Sequence, residues 1–171
     1  YERLIFSKGV SPPADTYCAC IEGTGSFHLD ALGCTLTLEE TETGGSPQEL
    51  EAGPRTACLD ADRIVFPLML RNFRPGDRFV PLGMKGHKKL KDFFVDMKIP
   101  SDVRARIPLL AQGDQLIWVC GLRMDDRFKV TSSTRRVLRA SLDVSGSTLG
   151  DDLRTWEQAR GGPSQGSRGD P

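Results

Sequence analysis

The chain has 171 residues, 38% hydrophobic and 27% charged, with 23 Lys and Arg balancing 23 Asp and Glu. That length suits one domain of ordinary size, or one domain with an appendage. The composition is that of a soluble globular protein, and no apolar run approaches the ~20 residues that a membrane span requires.

Tyr1 to Phe6 reads as a strand, broken by Ser11-Pro12-Pro13. The sequence opens on Tyr1 and not on Met, so the N-terminus reads as the cut edge of something longer. No apolar core with a small-residue cleavage site marks a signal peptide. Tyr17 to Ile21 is a second strand, ended by Gly23-Thr24-Gly25, and Phe27 to Leu29 adds an extended piece. Cys34 to Leu38 alternates apolar and polar residues, the pattern of a half-buried strand. Thr41 to Pro54 is rich in Gly, Pro and acids and reads as a surface loop.

Thr56 to Leu59 and Ile64 to Leu70 are predicted strands around an Asp60-Ala61-Asp62 turn, with Pro67 marking an edge or a bulge. Arg74-Pro75-Gly76-Asp77 fits a type II turn, because Pro presets φ and Gly accepts φ > 0. Lys88 to Lys98 is the best helix: Leu90, Phe93, Phe94 and Met97 form one apolar stripe, which makes the phenylalanines core. Pro100 stops it, and Ser101 is placed to cap a short helix through Arg106. Leu109 to Ala111 and Leu116 to Val119 flank Gln112-Gly113-Asp114-Gln115, a hairpin signal. Phe128 to Thr131 and Val137 to Val144 complete the strands. Residues 145–171 carry six glycines and two prolines and read as a weakly ordered tail in which only Asp152 to Arg160 could be helical.

These elements give an α+β fold: a β-rich domain of mixed or antiparallel strands with one or two short helices. Residues 1–66 form its N-terminal β-rich segment and 67–144 its C-terminal part.

The zero net charge hides an asymmetry. Residues 1–66 carry four Lys and Arg against eleven Asp and Glu, whereas residues 67–131 carry thirteen against seven. Between Arg71 and Lys91 stand seven cations (Arg71, Arg74, Arg78, Lys85, Lys88, Lys89 and Lys91) and one acid, Asp77. Such a concentration points to a polyanion partner. Guanidinium forks match phosphate oxygens bidentately and lysines act as point charges. Gly86 before the predicted helix start at Lys88 suggests a corner where free backbone N–H groups and the positive dipole end meet a phosphate. The alternative use of these cations is to solvate an ordinary helix and hairpin, with Arg74 and Asp77 pairing inside their turn. His87 reads as an exposed turn residue.

Catalytic motifs are missing. There is no GxxxxGK[ST] and no GxGxxG, and Gly44-Gly45-Ser46 lacks the Asp of an SGGxDS loop and is followed by Pro47. No catalytic residue is assigned. The five cysteines are odd in number and form no CxxC pair, so they read as buried small hydrophobes of a reducing cytoplasm; no metal site is assigned.

The stretch LRNFRPGDRFVPLGMKGHKKLKDFFVDMKIP, followed by RARIPLL and GDQLIWVCGLRMDDRFKVT, resembles the C-terminal domain of the bacterial tRNA(Ile)-lysidine synthetases. RPGDRF, PLGMKG, KKLKDFF, IPLL and GLR–DRFK stand in the family's order and spacing, from about Leu70 to Thr131, and the earlier strands are similar to the segment before it. The resemblance implies a module similar to part of the phenylalanyl-tRNA synthetase β subunit that holds tRNA away from the anticodon. It implies isoleucine tRNA as partner and a ligase that uses ATP and Mg to attach lysine to C2 of the wobble cytidine. That chemistry belongs to an N-terminal ATP-pyrophosphatase domain which this sequence lacks, so no cofactor is expected in this fragment. It also implies Arg123 as a tRNA contact beside Arg74, Arg78, Lys85, Lys88, Lys89 and Lys91. No membrane partner is expected and an oligomer is allowed. The alternative is a protein-interaction domain whose basic face binds an acidic chain.

Overall fold

The computed structural model describes residues 17–42, 53 and 55–161. The expected strand Tyr1 to Phe6, most of the Thr41 to Pro54 loop and the glycine-rich end after Gly161 lie outside the described residues.

Among the described residues eleven strands form, in the order β1 Cys18–Ile21, β2 Gly25–Leu29, β3 Cys34–Glu42, β4 Thr56–Asp60, β5 Leu68–Arg71, β6 Arg78–Phe79, β7 Lys88–Lys89, β8 Leu109–Gln112, β9 Gln115–Val119, β10 Arg123–Met124 and β11 Arg136–Asp143. The helices are α1 Leu90–Asp96, α2 Ser101–Arg104 and α3 Thr148–Arg160. One sheet has the order β1-β5-β8-β9-β10, a second β2-β3-β11-β4, and β6-β7 is a separate ribbon. Every pairing is antiparallel. Because β1 pairs with β5 and β11 with β3 and β4, residues on both sides of position 67 build both sheets.

The alternation seen in the sequence places side chains as expected of half-buried strands. Cys34, Leu36 and Leu38 of β3 face the core while Thr35 and Thr37 do not. Leu138, Ala140 and Leu142 of β11 do the same opposite Arg139 and Asp143. A single hydrophobic cluster joins Leu36, Leu59, Leu70, Phe94, Leu109 and Leu153, so both sheets, α1 and α3 share one core. The stripe of α1 is buried at Leu90, Phe93 and Phe94, and Phe93 stands edge-on to Phe79 at 5.1 Å between centroids.

Several elements differ from the sequence expectation. The run Ile64 to Leu70 does not form one strand: β5 starts after Pro67 and lies inside its sheet, so the proline removes no ladder hydrogen bond. The helix predicted over Lys88 to Lys98 is shorter, because Lys88 and Lys89 pair with β6 first. Ser101 is the first residue of α2 and not its cap, which is Pro100. Phe128 ends a 3-10 turn over Asp126–Phe128, and only Lys129 makes an isolated bridge, to Leu59.

The largest difference is α3. Within a tail expected to be weakly ordered, with only Asp152 to Arg160 able to be helical, residues 148–160 form a thirteen-residue helix docked on the core. Ser147 caps it by accepting from the Gly150 amide at 3.0 Å. Leu149 and Leu153 are buried, contributing about 3–6 kcal/mol together. Trp156 Nε1 donates to the Met97 carbonyl at 2.7 Å, Arg55 grips Glu157 through two bonds of 3.0 and 3.1 Å, and Arg106 pairs with Asp152. Tail composition averaged over glycines concealed this one amphipathic segment.

Candidate nucleic-acid interface

The β6–β7 ribbon is built on Asp77. Its carboxylate accepts from both terminal nitrogens of Arg71, at 2.8 and 2.9 Å, and from the Arg74 amide at 2.8 Å. The turn it closes has Asp77 N donating to Arg74 O at 3.1 Å and Gly76 at φ 91°, as the Pro-Gly pair requires. The Arg71 side chain is 6% exposed. Arg71 therefore faces inward and is held by the fold, which removes it from the set of phosphate contacts expected from its charge.

In the ribbon, Arg78 stands directly opposite Lys89 and Phe79 opposite Lys88. Phe79 is fully buried, so the alternation turns Arg78 and Lys89 out to solvent. Two cations opposed across a strand pair, with Cβ atoms about 5 Å apart, repel. In water that repulsion is about 0.7 kcal/mol at ~6 Å between charges. Among the described residues neither Arg78 nor Lys89 has an ion-pair partner. Lys88 lies on the inner side, half-buried, and its ammonium pairs with Asp96 of α1. The two adjacent lysines are thus different: Lys88 ties the ribbon to α1, and Lys89 is free for an anion.

The loop from Pro81 to His87 is fixed at its base. Asp125, fully buried, accepts from the Val80 amide at 2.9 Å, and Leu82 N donates to Met124 O at 3.0 Å. Asp126 accepts from the Gly83 amide at 3.1 Å; that bond, with Lys129 beside it, holds the Asp126 carboxyl below the usual carboxylate range. The tip then exposes Leu82, Met84, Lys85 and His87. Arg74 is exposed at the neighbouring turn, with its guanidinium 3.9 Å from the Cys18 sulfur. Lys91 projects from the outer side of α1. Arg123 of β10 is half-buried over the Phe93 ring, 5.9 Å from its centroid, a cation–π contact that leaves it without an acid.

The backbone corner expected before the helix does not form. Lys88 and Lys89 are strand, and the Leu90 amide, first in α1, already donates to Asp77 O at 2.9 Å. An anion on this face would meet side chains. The ribbon brings Arg78 and Lys89 together; Phe79 against Phe93, with Arg123 over Phe93, links Arg123 to the same unit. Sequence reasoning missed Lys98, counted as the last turn of a helix but standing exposed two residues beyond α1. It also missed Leu82 and Met84, whose signal was two apolar residues inside a Gly-punctuated basic loop.

Burial pushes the Cys34 thiol up to about 11, raises Cys58, and raises Cys120 well above its ordinary value, so these three remain protonated thiols. Among the described residues no group of three His, Cys, Asp or Glu side chains converges to hold a metal. No helix among them is long and apolar enough to cross a membrane.

A family model described as the TilS substrate C-terminal domain matches residues 68–141. Residues 68–141 are a domain of that type. The eight cations singled out in the sequence, the seven from Arg71 to Lys91 and Arg123, lie inside that match. The tRNA(Ile)-lysidine synthase of Caldanaerobacter subterraneus subsp. tengcongensis is 49% identical over 137 residues, 80% of this chain and 27% of the relative. That of Geobacter sulfurreducens is 36% identical over 135 residues, 79% and 28% of the two chains. The chain spans about a quarter of the length of the curated relatives it matches. Among solved structures, the one titled "Crystal structure of TILS C-terminal domain" superposes with a TM-score of 0.63 at 28% identity, covering 77% of this chain and 99% of that one. A fragment of the phenylalanyl-tRNA synthetase β subunit from Pyrococcus horikoshii gives 0.44 at 17% identity, over 62% of this chain and 34% of that one. The antiparallel, β-rich TilS domain fold expected from the sequence is the one observed.

Proposed function

We propose that this chain is the tRNA-docking part of a cytoplasmic tRNA(Ile)-lysidine synthase. Its ligand face is the β6–β7 ribbon with the Pro81–His87 loop, α1 and Arg123. The reaction would be the one the family name denotes: lysine joined to C2 of the wobble cytidine of isoleucine tRNA at the expense of ATP and Mg. No step of that reaction is assigned to the residues described here. Residues 67–144 would present the tRNA face and residues 17–66 would complete the two sheets behind it.

One observation carries the reading. Arg78 and Lys89 oppose each other in register, both exposed and without an acid among the described residues. A repulsive pair in the middle of a matched family segment is explained by an anion that sits between the two charges. Lys85, Lys91, Arg74 and Arg123 extend the same field; Arg71 and Lys88 are placed by the fold in internal pairs and act on RNA only by holding the ribbon.

Binding of unfractionated tRNA to the chain at several salt concentrations tests this. Each phosphate contact at 0.1 M salt is worth about 1 kcal/mol through counterion release, a factor of about six in Kd. Arg78→Ala with Lys89→Ala is expected to weaken binding about 40-fold and to flatten the salt slope by about 1.4–1.8. Unchanged affinity and slope in that double variant would refute the assignment. An acidic protein bound in preference to tRNA would favour the interaction-domain alternative.

A further inference from the structure

We infer that Lys98 contacts RNA phosphate and closes a basic stripe that runs Arg78, Lys89, Lys91, Lys98 along the outer side of the ribbon and α1. This deepens the tRNA-docking reading and rests on it. The argument begins at the end of α1. Lys98 N donates to Val95 O at 3.0 Å and Ile99 N to Phe94 O at 3.0 Å. These are the two bonds of a Schellman motif, with Lys98 at its left-handed position, φ 55°. Glycine is the residue that position favours, because any Cβ there crowds the following carbonyl. Among the described residues Lys98 is the only one other than glycine at positive φ. Ile99, next in the chain, is buried and pins the motif, so the backbone cannot relax away from it. The chain holds a lysine where stability asks for glycine, and strain of this kind is characteristic of functional positions.

An answer in terms of fold alone is available and is weaker. A cation near a helix C-terminus interacts well with the dipole. Yet the last turn of α1 holds no basic residue and carries Asp96, which is unfavourable there and is committed to Lys88. Selection for the dipole would not keep that carboxylate and then accept a strained backbone to offset it. Lys98 itself is exposed and makes no ion pair among the described residues.

The exposed part of α1 divides in two. On α1 itself Lys91 and Val95 share one exposed stripe, at i and i+4, and Asp92 and Asp96 another, at i+1 and i+5, beside the buried one; Lys98 follows at the left-handed turn past the helix end. The stripe ends in point charges and carries no side-chain amide, so the chemistry it fits is a run of phosphates on one strand, read without base preference.

The test uses the whole chain with unfractionated tRNA as probe. Lys98→Gly is expected to raise Tm by a few degrees, since it relieves the left-handed strain. The same variant is expected to weaken tRNA binding about sixfold at 0.1 M salt and flatten the salt slope by about 0.7–0.9. Lys98→Arg keeps charge and strain, and is expected to bind as the wild type with no gain in Tm. A rise in Tm with unchanged affinity and slope overturns the inference while leaving the docking reading intact. A fall in Tm shows that the lysine serves the helix end and overturns it also. If the wild-type chain shows no salt-dependent binding to tRNA, both readings fail together.

Discussion

Replacing Asp77 by Ala tests whether Arg71 belongs to the fold or to RNA. The Asp77 carboxylate receives two charged bonds from Arg71 and one from the Arg74 amide, and the pair is 6% and 11% exposed. Removing the acid leaves a buried guanidinium whose remaining acceptor is the Asn72 carbonyl, 3.1 Å away. Breaking a buried pair from one side costs about 3–5 kcal/mol, because the surviving charge is uncompensated. Native domains hold about 5–15 kcal/mol in total, so Asp77→Ala should remove about a fifth of the stability or more. The same residue closes the turn before β6 and accepts from Leu90 through its backbone, so the ribbon loosens first. Urea titration followed by Trp fluorescence measures the loss. Arg71→Met with Asp77→Leu should recover much of it, since an apolar pair of similar volume leaves no charge behind. tRNA affinity of that double variant, measured where it is fully folded, should match the wild type within about twofold. A loss of less than 1 kcal/mol in Asp77→Ala, or a tenfold weaker Kd in a stably folded double variant, would refute the inward assignment of Arg71.

Three further outcomes follow from the packing and the charges. Gly150→Ala should unfold α3 or the whole domain, because a Cβ there would lie 2.3 Å from the Val144 carbonyl oxygen; loss of helical circular dichroism reads it. Trp156→Ala should cost about 3–5 kcal/mol in denaturant titration, through lost burial and the unpaired Met97 carbonyl. The carboxyls of Asp62, Asp126 and Asp143 are held below their ordinary value, chiefly by the amides of Arg135 and Gly83 and by the Ser145 hydroxyl respectively. A carboxyl depressed in the folded state stabilises fully above its unfolded pKa of about 3.9 and loses that contribution as pH falls through the folded value. Tm should therefore drop below about pH 4, and Asp126→Asn should drop less steeply over the same range.

The sheets were legible because their period is local. Cys34 to Leu38, Val137 to Val144 and the Gly113-Asp114 hairpin each carry their own alternation or turn residues, and each forms where expected. What escaped depended on partners distant in sequence. Lys88 and Lys89 have good helix propensity, but Arg78 and Phe79 recruit them as strand. The segment Thr148–Arg160 sits among glycines, and nothing near it announces that Met97, Arg55 and Arg106 await Trp156, Glu157 and Asp152.

The charge cluster was legible as a cluster but not as a site, and the reason is geometric. Sequence counts charges, whereas an anion responds to those left uncompensated. Of the cations from Arg71 to Lys91, Asp77 neutralises Arg71 through the fold, and Asp96, outside the counted window, neutralises Lys88. Lys98, also outside it, adds one back. The outer face thereby gains a direction that the bare count lacked: from the Arg78–Lys89 pair to Lys91 and on past the end of α1. An interface for a polymer needs such a direction, since successive phosphates must meet successive cations. The Lys88–Asp96 pair and the Leu90–Asp77 backbone bond tie the ribbon to α1, which in the proposed docking would hold the unpaired charges in register and lower the ordering entropy that opposes binding.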